Sequence, residues 1–99
     1  MRIQARTVEE VGLAIRAMRK ASGVRQDDVP GVSHMFLRDL ERGKETVQFG
    51  RVLQVLQELG IHMVLEVPDG AEGHVQRELE RSASKAALAK ANVHGKSPE

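Results

Sequence analysis

The chain has 99 residues, with 15 Lys/Arg against 14 Asp/Glu for a net charge of +1, and it has no cysteine, tryptophan or tyrosine. A chain of this length makes one small domain, which buries only a modest share of its surface and often leans on a partner. Disulfides and thiolate metal sites are excluded, no apolar run reaches membrane-spanning length, and no apolar signal-peptide core opens the chain, so a cytoplasmic protein is expected.

The charge is spread without a basic tail. Residues 1–30 carry six Lys/Arg against four acids, and the remaining stretches are close to balance. Any basic face must therefore come from folding. With Phe36 and Phe49 as the sole aromatics, the chain is a poor candidate for stacking on RNA or single strands.

Thr7 can cap a helix whose first turn holds Glu9 and Glu10, where the helix dipole favours acids. Val8, Val11, Ile15 and Met18 follow at helical spacing, with Ala14 and Ala17 between them, and Ser22-Gly23 closes the run. This predicts a helix over residues 8–21. Gln26-Asp27-Asp28-Val29 has room for a single turn before Pro30-Gly31 stops it. Ser33 caps a helix predicted over residues 34–42, with Val32, Leu37 and Leu40 as a narrow apolar face and Gly43 as terminator. Thr46 is read as the cap of the next helix, whose apolar face is Val52, Leu53, Val55, Leu56 and Leu59 and which Gly60 ends.

At IHMVLEVP the pattern becomes alternating. Ile61, Met63, Leu65 and Val67 fall on one side, and His62, Val64 and Glu66 on the other. This predicts one strand with no second strand in the chain. Its unpaired backbone invites the same strand of a second copy about a two-fold axis. The same residues also read as a further helical turn or an apolar loop. Residues 69–99 are rich in Ala, Lys, Glu, Arg and Ser. Helix propensity runs over residues 72–91, but with no broad apolar stripe such a helix is marginal alone. The tail is thus either mobile or ordered by a partner. The domain division is 1–68 and 69–99.

The pattern R-x-x-x-G-x-x-Q, then G-V-S-x-x-x-L-x-x-L-E-R-G-K, resembles the phage-repressor or Xre-type helix-turn-helix family. It is carried here by Arg19, Gly23, Gln26, Gly31-Val32-Ser33, Leu37, Leu40 and Glu41-Arg42-Gly43-Lys44. The helix and short strand that follow resemble one branch, the HipB-type antitoxins, and the likeness covers about residues 7–68. It implies a mainly α fold: a lambda-repressor-like domain of four to five helices, with one C-terminal β-strand forming an intersubunit sheet in a homodimer, plus the partly helical or mobile tail. It also implies a transcriptional repressor of its own promoter that binds a palindromic double-stranded operator and a HipA-like kinase toxin, and that is nucleoid-associated when bound to DNA.

The resemblance assigns roles residue by residue. Arg19 and Glu41 match the family's internal ion pair. Buried, such a pair costs about 3–5 kcal/mol to break, and on the surface about 0–1 kcal/mol. Gln26 matches a glutamine that contacts phosphate and buttresses the recognition helix. Ser33, His34, Met35 and Arg38 occupy the outward recognition positions. Arg38 is the expected guanine reader, Met35 suits a thymine methyl, and His34 can donate to a base or a phosphate. Lys44 and Thr46 match backbone-phosphate anchors. Read without the family, the same side chains are ordinary solvated charges, and Met35-Phe36 is partly core. Asp39 repels phosphate if it faces outward.

One departure stands out. The family separates its glutamine from G-V-S by about three more residues, nearly one turn or about 5 Å of rise. Here Asp27-Asp28-Val29-Pro30 alone intervene, so the first helix of the motif is stunted and Val29 must supply the packing that remains. A second reading follows: a protein-binding module, derived from a helix-turn-helix, that no longer binds DNA and restrains a partner enzyme. No catalytic constellation is present. His34, His62, His74 and His94 fit no metal spacing, the side chains of Asp27 and Asp28 diverge, and Ser33 is better explained as a cap than as a nucleophile. A non-enzyme without metal or cofactor is expected.

Overall fold

The computed structural model describes the backbone of residues 1–96 and side chains as far as residue 89. Four α-helices follow in order, α1 (Val8–Ala21), α2 (His34–Glu41), α3 (Phe49–Glu58) and α4 (Glu72–Lys96), with a 3₁₀ turn, Gln26–Asp28, between α1 and α2. The chain divides into two units, Met1–Val64 and Leu65–Glu99. Among the described residues no helix is long and apolar enough to cross a membrane.

The local signals explain where α1 and α2 begin and end. Thr7 is extended, and its hydroxyl oxygen accepts from the Glu10 backbone N–H at 3.1 Å. Ser33 does the same for the Phe36 N–H at 3.1 Å. Each cap satisfies one of the N–H groups that a helix start leaves without a partner. α2 stops where Gly43 takes φ +82° and the Lys44 N–H reaches back to the Asp39 carbonyl at 3.0 Å, a Schellman closure. It ends at Glu41, one residue short of the predicted span, because Arg42 is already the cap.

The core of the first unit is Ile15 from α1, Val29, Leu37 and Leu40 from α2, and Val52, Val55, Leu56 and Leu59 from the α3 region. α1 and α2 cross at a glycine. A Cβ on Gly12 would stand 2.2 Å from the Leu40 carbonyl oxygen, so no larger residue fits that crossing. Val29 is buried although it follows a turn of only three residues. It joins Leu37 and Leu40 of α2 in the buried core.

One expectation needs correction, and a second is not realised in the single chain. Thr46 does not cap α3. It lies in a turn in which the Val47 N–H meets the Lys44 carbonyl at 3.5 Å, and α3 starts after Gln48, which makes no side-chain cap. Val47 packs against the core, which holds the chain in that turn and delays the helix. In addition, the predicted strand is not present in the single chain. Residues 61–68 carry neither helix nor strand, since a ladder requires a second strand. Ile61 is half-buried, while Val64 and Leu65 are 62% and 83% exposed.

The second unit is dominated by α4. Within it Gln76 donates to Glu80 at 3.1 Å and Arg81 pairs with Glu78 at 3.1 Å. Contacts of this spacing support a helix that has little apolar surface to bury. Leu79 and Leu88 are each 63% exposed.

Candidate nucleic-acid interface

α2 is built to be held rigidly from beneath. The Arg19 guanidinium on α1 donates twice to the Glu41 carboxylate on α2, from Nε at 2.7 Å and from Nη2 at 2.9 Å. Its third arm, Nη1, donates to the Val24 carbonyl at 2.9 Å. Gln26, in the 3₁₀ turn, donates from Nε2 to the Glu41 carboxylate at 3.2 Å. One buried carboxylate therefore ties together α1, the turn and α2. Burial pushes the Glu41 carboxyl up. The hydrogen bonds from Arg19 and Gln26, with the charges of Arg19 and Arg16, outweigh it and hold the group below its ordinary value. The hydrogen bond to Glu41 raises Arg19 in turn, against its own burial. Among the described residues no buried side-chain polar atom lacks a partner.

Above this brace α2 presents its outer side chains. His34, Met35 and Arg38 are exposed, Met35 by 54%. Phe36 turns inward against the core. The Ser33 hydroxyl accepts one hydrogen bond as the cap, which leaves its O–H and one lone pair for further contacts. Asp39 does not stand as a free acid: the Lys44 ammonium lies 3.5 Å from its carboxylate. That contact offsets the charge that would repel a phosphate and engages Lys44 at the same time. Lys44 and Thr46 share a shallow groove with Asp39, Gln48 and Arg51. Asp27 pairs loosely with Arg25 at 3.5 Å, while Asp28 makes no ion pair among the described residues.

The flank of α2 toward α1 holds a different arrangement. Arg16, Arg19, Gln26, Arg38, Glu41 and Arg42 line one groove of about 220 Å³. The sequence motif assigned roles to Arg19, Gln26, Arg38 and Glu41, included Arg42 without giving it one, and passed over Arg16. The signal was present as spacing: Arg16 and Arg19 are three apart, and Arg38 and Arg42 four apart, so each pair shares a helix face.

A short turn, a capped helix braced through a buried ion pair, and a following helix closing the core define a helix-turn-helix domain with an abbreviated first helix. No family model matches the chain. It is 44% identical over 66 residues, 64% of this chain and 87% of the relative, to the uncharacterized HTH-type transcriptional regulator y4mF of Sinorhizobium fredii. The chain belongs to the HTH-type transcriptional regulators.

Proposed function

We propose that the protein is a sequence-specific, double-stranded DNA-binding repressor that acts as the antitoxin of a HipBA-like pair, regulating its own operon and binding a HipA-like kinase. The observation that carries the DNA reading is the intact α2: capped at Ser33, braced at Glu41 and exposing His34, Met35 and Arg38. In this reading Gln26, Ser33, His34, Met35, Arg38, Lys44 and Thr46 form the DNA face. Membership of a regulator family supports it. The antitoxin role and the kinase partner rest on the resemblance of the motif and of the following segment to the HipB branch. The homodimer rests on the alternation of residues 61–67 and on the exposure of Val64 and Leu65, with Ile61, His62, Met63, Val64, Leu65, Glu66 and Val67 as the pairing strand.

The test is fluorescence anisotropy with a labelled duplex from the protein's own promoter, against a scrambled duplex, at several salt concentrations. Tight, sequence-dependent binding with a steep salt slope supports the repressor. Weak binding that does not distinguish the duplexes removes it. A second reading is favoured by one observation. The first helix of the motif is a three-residue 3₁₀ turn, two of whose residues are the exposed Asp27 and Asp28, which is poor ground for a phosphate. In that reading the chain is a protein-binding module, and a pull-down of a HipA-like kinase succeeds while Arg38→Ala changes neither repression nor the complex.

A further inference from the structure

Arg38 lies in the groove between α1 and α2, not on an isolated outer position. Four guanidinium groups, those of Arg16, Arg19, Arg38 and Arg42, share that groove with one carboxylate, Glu41. The carboxylate is already met by two hydrogen bonds from Arg19 and one from Gln26. Arg16, Arg38 and Arg42 make no ion pair among the described residues. The groove thus sets four guanidinium charges against one carboxylate, with Arg16, Arg38 and Arg42 exposed and beyond ion-pair distance of it, above a buried base whose polar atoms are all met.

Three like charges gathered on two rigid helices repel one another, and an oxyanion between them removes that repulsion. Guanidinium forks match the tetrahedral oxygens of a phosphate and bind them through paired N–H donors. A base edge offers two acceptors in a plane to one fork and has no use for three cations. We infer that the groove is a phosphodiester site, in which Arg38 acts with Arg16 and Arg42 to hold a backbone phosphate of the duplex instead of reading a guanine. The inference rests on the DNA-binding reading above and refines the role of one of its residues. Direct base contact then falls to His34 and Met35 at the start of α2. Specificity becomes modest for a reader of this size, with positioning supplied by the arginines.

The experiment compares Arg16→Gln, Arg38→Gln and Arg42→Gln with His34→Ala on promoter and scrambled duplexes across a salt series. All four positions are exposed, so folding is checked simply by melting temperature. Each arginine variant is expected to weaken both duplexes by the same factor and to flatten the log K against log salt slope, by about 1 at most for the one phosphate the three share. His34→Ala is expected to narrow the difference between the duplexes and leave the slope as it was. If Arg38→Gln instead abolishes the preference for the promoter, while Arg16→Gln and Arg42→Gln bind as the parent does, the inference is overturned and Arg38 reads a base. Where the parent binds neither duplex, it is the DNA-binding reading that fails, and pyrophosphate then tests the groove. Saturable shifts of the Arg16, Arg38 and Arg42 side-chain N–H resonances, lost in the variants, uphold the oxyanion site. No shift overturns it.

Discussion

At Glu41 a carboxylate is nearly withdrawn from water, a position that costs several kcal/mol unless the charge is met. Arg19 and Gln26 meet it with three hydrogen bonds between them. Removing Arg19 leaves that charge stranded, so Arg19→Ala is expected to cost about 3–5 kcal/mol of stability by urea denaturation. The double replacement Arg19→Met with Glu41→Leu strands no charge, leaving only the half-buried Val24 carbonyl and Gln26 amide without these partners, and is expected to cost less than either single change. The pair also makes stability depend on acid. A carboxyl whose folded pKa lies below its ordinary value of 4.5 adds stability that is fully present above 4.5. That contribution is lost as pH falls through the lower folded value. Urea midpoints of the parent should therefore drop below pH 4.5, and Glu41→Gln, already destabilised at neutral pH, should show a smaller drop over the same window.

At the scale of the elements, the crossing of α1 and α2 decides both the fold and the groove. Gly12 allows it, because the space a Cβ would need is taken by the backbone oxygen of Leu40. Backbone cannot rotate away as a side chain can. Gly12→Ala is expected to cost about 1–3 kcal/mol through forced separation of the helices, outweighing the higher helix propensity of alanine. At about 4–8 °C per kcal/mol for a domain of this size, calorimetry should show a clear fall in melting temperature. The same separation would part Arg16 from Arg38 and Arg42. Much of the helical frame was readable from local chemistry, since Thr7 and Ser33 have hydroxyls at helix starts, and Gly23 and Gly43 lie where chains must turn with positive φ. The start of α3 was not readable, because Val47, a core residue beside a plausible Thr46 cap, settles it through tertiary packing. Nor was the convergence of Arg16 with Arg42, which comes from two helices meeting at an angle that no single-helix periodicity contains.

For the whole molecule, a net charge of +1 leaves no general attraction to DNA, so binding must rest on local grooves and on having two of them. This gives the proposed homodimer its weight, since two linked half-site readers gain about 100-fold or more over one. The proposed contact makes a sharp prediction. In a two-stranded antiparallel ladder the backbone N–H groups point alternately toward the partner and away from it. Val64 and Leu65 are adjacent and both exposed, so one of the two must donate across the two-fold axis while the other faces water. Proline lacks that N–H. Of Val64→Pro and Leu65→Pro, one is expected to sediment as a monomer at concentrations where the parent is a dimer, and the other to remain dimeric. The monomeric variant should also lose about 100-fold in affinity for a palindromic duplex, while its binding to a single half-site stays close to the parent's. If both variants remain dimeric, the ladder is not the dimer contact. If both dissociate, the segment holds the dimer through its side chains, and the alternation of Ile61, Met63, Leu65 and Val67 marks a packed face, with no sheet.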